Sequence, residues 1–506
     1  MGKFLTLIIF LFSLTAFGQV DFCTKELESY PTRSGGRIKP LYVLATDTIK
    51  FITGESKVDG LSATEAFCKL SLRAFGMPLE LPVMVRVDHV EVKKLFGMND
   101  GAHSLPVNEA TAKIGVLETE LAQQKENTSY KKEMTKVKQR LDTYRAITEA
   151  KLWTVPEPKG NDVEFVSLGE FLTETKVAEA KAKSDNPVNY LFAEAKEHYL
   201  KVKGDDYLLE LRYFKLNLFL WAMLATLTAI IFLVAFKNKW PGTFLTVLTI
   251  GLQITAVTMR VLISGRGPVT NMYETVMFSG LGALIIGCII TMLRKEMVFV
   301  IAGLSYNILT LMMMKFANGM LDPGISPLVP VLRDNFWLST HVTTIILSYA
   351  ALSLSWLIAN GLMIRARFFN VSSAEYRYGV DLVYTCIKFG VVLLAAGIIL
   401  GGVWADYSWG RFWGWDPKET WSLIVLLVYI AILHGKSTSW IPPQRFVPLV
   451  AGAFMTVMMA WFGVNYILAS GLHSYGFSEG GAIFLGSFFG IQILVLILGT
   501  VTRKTA

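Results

Sequence analysis

The stretch WGRFWGWDPKETW, from Trp409 to Trp421, sets four tryptophans in thirteen positions, with two glycines between the rings and an Asp-Pro-Lys-Glu run among them. Tryptophan is enriched where membrane proteins meet the water interface, as an anchoring belt. A belt needs neither the glycines nor the embedded charges. Planar indoles spaced by glycine make a flat apolar wall suited to a large planar ligand. Asp416, Lys418 and Glu419 are placed to orient polar groups on that ligand's rim or to pair with one another. Trp409, Trp413, Trp415, Asp416 and Trp421 are therefore candidate binding residues.

The six histidines separate into two groups. His89, His103 and His198 fall in charged, mixed sequence and read as ordinary surface or core residues. His341 opens a long apolar run and His473 lies in the connection before the last such run. Both fall on the same membrane side as the Trp-rich stretch. Two imidazoles can hold one iron from opposite axial positions, so the pair is a candidate ligand set. His434 lies thirteen residues past Trp421, which on a helix is ~20 Å further along the membrane. A polar ring at that depth is costly and is a functional candidate; the bland alternative is a ring that reaches back to the interface.

The elements that must position these residues are long apolar helices. The chain has 506 residues, 53% of them hydrophobic, and a mean hydropathy of +0.45, too apolar for an ordinary soluble enzyme. Sequence up to about Asp206 is mixed and charged; from Phe214 onward apolar runs follow one another. Nine spans are predicted, at about 214–236, 242–263, 271–293, 297–316, 341–364, 387–404, 420–435, 447–469 and 483–502. The net charge of +8 is a topology signal, with no call for nucleic acid. Basic residues gather in alternate connections (Lys237, Arg294, Arg365, Lys436 and their neighbours), which marks that side as cytoplasmic.

At the amino terminus, Lys3, the apolar Phe4–Phe17 stretch and Ala16-Phe17-Gly18 read as a signal peptide over residues 1–18; an uncleaved anchor is the alternative. Residues 19–205 are expected to form an exported, mainly helical soluble domain. Within it Tyr130, Met134, Val137, Leu141 and Tyr144 recur at helical spacing, with Leu117 and Leu121 on a preceding helix and QQKENTS as the turn. A helical hairpin is expected there, with an intermolecular coiled coil as the alternative. The GGRIKPLYVLATDTIKFITG stretch has a glycine turn but no assignable chemistry. Cys23 and Cys68 lie in this region and are able to pair, although sequence does not decide the geometry; Cys288 and Cys386 read as buried thiols. There is no C-x-x-C motif. The expectation is an all-α polytopic membrane protein of about nine transmembrane helices, residues 206–506, preceded by that soluble domain.

The Trp-rich stretch resembles the signature of a haem-handling superfamily that includes the CcsA, CcmC and CcmF proteins. RGPVTNMYETVMF, from Arg266, resembles the CcsA segment ending in Asn-x-Tyr-Glu, and GLHSYGF, from Gly471, resembles its His-containing loop. The resemblance covers about residues 240–506. It implies cytochrome c biogenesis in a bacterial inner membrane, with haem b as the bound substrate. It implies that His341 and His473 are axial ligands at an outer site and that His434 ligates haem at an inner one. The second inner ligand, in fused relatives, comes from a CcsB (ResB-like) half that is not recognised in this sequence, which implies a CcsB-like membrane partner or, alternatively, that this chain is the carboxyl-terminal part of what is elsewhere one fused protein. Apocytochrome c with its C-x-x-C-H segment would be the acceptor, and a thiol-reducing protein is compatible as a further partner.

Three other readings compete. A CcmC- or CcmF-like protein would deliver haem to a carrier. A b-type electron-transfer subunit would set paired histidines across the bilayer interior, whereas His341 and His473 sit at its edge. An assembly subunit without haem would need none of these residues.

Overall fold

The computed structural model describes residues 22–76, 81–124, 128–317, 319–327, 334–468 and 481–500. The signal expected at residues 1–18 and the GLHSYGF loop with His473 lie outside them. The chain divides into two compact units, Met1–Lys215 and Leu216–Ala506.

The first unit is helical with short antiparallel hairpins, which the sequence reading did not anticipate. Strands β1 (Pro31–Ser34) and β2 (Arg37–Pro40) pair with Ser34 opposite Arg37. The turn between them is Gly35-Gly36, with φ of 60° and 78°, the primed geometry that matches strand twist and that glycine adopts without steric cost. Helix α1 (Leu41–Thr53) follows directly. Helix α2 (Ala63–Ser71) starts at a capping box between Ser62 and Glu65. A disulfide joins Cys23 to Cys68 of α2, with the Cα atoms 5.6 Å apart. Helices α3 (Ile114–Gln123) and α4 (Ser129–Thr148) bury Leu117, Met134, Val137 and Leu141 in the core. That core centres on Trp153, whose fully buried ring meets Phe22, Tyr30, Phe67 and Phe192. Helix α5 (Pro187–Lys203) supplies Phe192.

Nine helices among the described residues are long and apolar enough to cross a membrane, as expected: α6 (Leu208–Ala235), α7 (Lys239–Ser264), α8 (Met272–Arg294), α9 (Val298–Phe316), α10 (Leu338–Phe368), α11 (Ser373–Trp409), α12 (Pro417–Ser437), α13 (Pro443–Leu468) and α14 (Gly481–Thr500). The sixth is longer at both ends than the apolar run alone predicted: a capping box of Ser372 and Glu375 starts it in polar sequence, and it runs on to a left-handed C-cap at Gly410. The protein is an all-α polytopic membrane protein. Helix α10 is central and packs against α8, α9, α11, α13 and α14. Helices α12 and α14 are peripheral, with 22% and 17% of their most apolar stretch buried.

Water-free interiors require every buried polar group to find a partner. Gln253 and Asn307 exchange two amide hydrogen bonds of 3.0 Å, joined by the Thr226 hydroxyl. Gln492 of α14 accepts from the Trp356 indole at 2.7 Å and exchanges bonds with Asn360. Such contacts hold helices together where hydrophobicity gives no preference for protein over lipid.

Candidate functional site

One end of the bundle contains a cleft between the first turns of α8, α10 and α12 and the last turns of α11 and α13. Its first wall follows from the Asn-x-Tyr-Glu segment. Asn271 caps α8, its Oδ1 accepting the Glu274 amide at 2.8 Å. The Glu274 carboxylate forms an ion pair with Arg260 of α7 at 2.7 Å, both side chains almost wholly buried. Its other oxygen accepts the Thr270 amide and hydroxyl. The guanidinium also donates to the carbonyls of Pro323 and Gly324 and lies over the Tyr273 ring. One buried pair thus fixes two connections to two helices, and sets Thr270, Asn271, Met272 and Thr275 into the cleft wall.

His341 forms the second wall. It sits on a π-helical turn, Leu338–Val342, at the start of α10; such widened turns are frequent at functional sites. Its Nδ1 lies 2.8 Å from the carbonyl oxygen of Gly397 on α11. A carbonyl only accepts, so Nδ1 carries the hydrogen and the ring lone pair belongs to Nε2. Close approach depends on glycine. A Cβ at Gly401 would stand 2.5 Å from His341 Cε1, and one at Gly397 would stand 2.7 Å from Ile345 Cδ1. Gly397 and Gly401 are one turn apart and make a lane of the small-xxx-small kind. Gly402 does the same for the Phe412 ring.

The Trp-rich stretch forms the third wall and answers the expectation for its charges. Asp416 is the N-cap of α12, Pro417 its first residue and Glu419 its third, with the reciprocal bonds of a capping box. Glu419 also accepts from Gly414 N at 2.7 Å and from Arg411 at 3.2 Å. Asp-Pro-Lys-Glu is therefore a helix start, a signal present in the sequence. Asp416 is buried in that role, whereas Lys418 and Glu419 line the cleft. Trp413 lines it too. Trp415 stands edge-on to Trp413 with ring centres 5.8 Å apart, is 69% exposed, and has a left-handed φ of 58°. Trp409 and Trp421 do not line the cleft; Trp409 lies beneath the Arg411 guanidinium and Trp421 packs against the bundle core.

Three aromatic residues that the sequence reading left aside complete the walls: Tyr349, Trp404 and Trp461. The Trp404 ring is 5.7 Å from that of His341, and the Trp461 indole donates to Thr275 at 3.1 Å. The indole N–H groups of Trp404 and Trp413 are buried without an acceptor among the described residues. Buried donors nearly always have partners, so these two indoles are unsatisfied groups on residues that line the cleft. His434 is elsewhere. It is exposed on α12, three residues before the helix ends, and roughly 22 Å along the helix from Glu419.

These features define a multi-pass helical membrane protein with an aromatic, histidine-bearing cleft at one end of its bundle. Residues 269–473 match the family described as Cytochrome C assembly protein. The cytochrome c biogenesis protein CcsA of Synechococcus sp. (strain CC9311) is 34% identical over 308 residues, which cover 52% of this chain and 98% of that protein. The CcsA of Guillardia theta is 35% identical over 239 residues, covering 42% of this chain and 78% of the relative. The chain belongs to the CcsA family of cytochrome c biogenesis proteins.

Proposed function

We propose that the chain receives haem b as cargo in this cleft and presents it for covalent attachment to apocytochrome c. The observation that carries the reading is the His341–Gly397 hydrogen bond, since an imidazole that donates its Nδ1 hydrogen to a carbonyl is oriented and polarised for ligating metal through Nε2. His473 is the intended second axial ligand, and the pair would hold the iron six-coordinate. Trp413, Trp404 and Trp461 give the planar wall.

The cleft's volume of about 180 Å³ is below the roughly 300–1,000 Å³ of sites that enclose a ligand. A macrocycle would therefore stand in it with one edge outside. Lys418 and Asn271 suit the carboxylate edge, which leaves the vinyl edge facing outward. Haem supplies the vinyl groups. Each thiol of a C-x-x-C-H segment adds across one vinyl group: sulfur bonds to one carbon, the thiol hydrogen ends on the other, and no electrons leave the pair. Holding both partners makes that addition effectively intramolecular.

The cleft end would face the outside of a bacterial inner membrane, with the basic connections cytoplasmic. The Cys23–Cys68 disulfide supports an oxidising compartment for the first unit, which we read as the exported domain following a signal. His434 would ligate haem at an inner site. Its exposure on a peripheral helix suits completion by a histidine from a CcsB-like membrane partner, and a thiol-reducing protein would keep the acceptor cysteines reduced.

The test is the absorption spectrum and haem stain of the full chain, purified alone and with its partner. Wild-type protein should carry haem with a bis-imidazole spectrum; His341→Gly should lose it, and added imidazole should restore part. Wild-type haem content in His341→Gly without imidazole would remove the assignment.

A further inference from the structure

At the opposite end of the bundle a larger cavity, about 1200 Å³, opens between the last turns of α10 and α14 and the first turns of α11 and α13. Its charge is lopsided. Arg367 and Arg445 line it, and neither has a carboxylate partner among the described residues. Glu375 is its acid, but that carboxylate is already engaged by the Ser372 amide at 2.9 Å and by Arg365 at 3.3 Å. Tyr376 is its one other titratable side chain. Among the described residues, two guanidinium charges are thus left without a carboxylate.

The rest of the wall mixes polar residues (Asn370, Ser372, Gln444 and Thr500) with an apolar side. Met363, Leu449 and Leu496 line it, and Leu449 is 46% exposed. Beside the opening Phe368 and Phe369 are about two-thirds exposed, at 63% and 65%. Leu449 and Leu496 lie a turn or more inside their helices, toward the apolar part of the bundle, while Arg367 and Arg445 stand where their helices end, with Phe368 and Phe369 beside Arg367. A molecule that meets both must combine an anionic head with an apolar body. Basic pockets between transmembrane helices at the headgroup level recognise anionic lipids, and arginine's fork matches phosphate oxygens two at a time.

We propose that this cavity is a binding site for an anionic phospholipid, with its phosphate between Arg367 and Arg445 and an acyl chain along Leu449 and Leu496. The site is separate from the aromatic cleft, and the inference does not depend on what that cleft holds.

The test uses the full chain, delipidated in detergent and then exposed to phosphatidylglycerol or phosphatidylcholine, with retained lipid counted by native mass spectrometry. Wild-type protein should retain phosphatidylglycerol preferentially. The double variant Arg367→Ala/Arg445→Ala should weaken that retention roughly thirtyfold, as expected for two basic contacts at a lipid surface. Arg377→Ala, exposed at the same end but outside the cavity, should leave it unchanged and also controls for folding. Equal retention of both lipids, or an equal loss in Arg377→Ala, would overturn the site. Displacement by inorganic phosphate as effective as by lipid would replace the lipid with a free anion. Loss of haem absorbance in the double variant with lipid retention intact would replace it with haem carboxylates.

Discussion

His341 of α10 and Gly397 of α11 are joined by a 2.8 Å hydrogen bond from the imidazole Nδ1 to the backbone carbonyl oxygen. The bond fixes the ring's tautomer and direction from the backbone of a neighbouring helix, so it depends on how closely the two helices approach. Gly401, against which the ring lies, sets that approach.

Gly401→Ala should therefore weaken the proposed haem site without altering either proposed ligand. Overpacking of this kind costs about 1–3 kcal/mol, and the imidazole is the group that must move. Haem absorbance per protein should fall sharply. Gly486→Ala on α14, where a Cβ meets nothing within 4 Å, should keep it. Equal haem content in the two variants would show that the glycine lane does not position His341.

Asp416 distinguishes a cap from a ligand contact. Asp416→Ala removes the cap of α12 and should cost about 1 kcal/mol, with loss of activity as the Trp-rich stretch loosens. Asp416→Asn retains a capping oxygen and should keep most activity. If the asparagine variant were as inactive as the alanine one, the carboxylate charge would be needed for more than the cap.

Trp415 carries a side chain where its backbone disfavours one. A left-handed residue other than glycine is strained by roughly 1–2 kcal/mol, and the ring is mostly exposed. Trp415→Gly should therefore raise or preserve thermal stability and membrane abundance, while haem transfer falls because the ring beside Trp413 is lost. An anchoring belt residue would instead lose abundance and activity together.

The Arg260–Glu274 pair should behave as a structural lock. Removing one partner strands a buried charge, at about 3–5 kcal/mol. Glu274→Ala should lower the melting temperature in detergent and loosen the 319–327 connection to protease. The double variant Arg260→Met/Glu274→Leu should recover much of the stability but not the hydrogen bonds to Pro323 and Gly324. Full stability in Glu274→Ala would mean that the pair does not hold this wall.

In the first unit, the Cys23–Cys68 disulfide closes a separation of 45 residues, worth about 4 kcal/mol by loop-closure entropy. Reducing agent, or the double variant Cys23→Ser/Cys68→Ser, should make this unit of the full chain markedly more sensitive to limited proteolysis. Unchanged cleavage would place its stability in the core around Trp153 instead.

The sequence by itself determined the nine spans, because an uninterrupted apolar run of about twenty residues has few other stable solutions. It also contained the helix starts at Asn271 and Asp416, since capping is decided within four residues. It did not determine which face of each span turns inward. Lipid and protein interior are both apolar, so no hydrophobic period marks the buried face. Tyr349 shares the span of His341, two turns along it, but Trp404 and Trp461 lie on two other spans, and only tertiary packing brings them to His341. The same packing turns His434 outward, places Trp421 against the core, and matches Arg260 with Glu274 across two helices. These placements follow from small-residue lanes and from hydrogen bonds between helices, which become visible only once the helices are side by side.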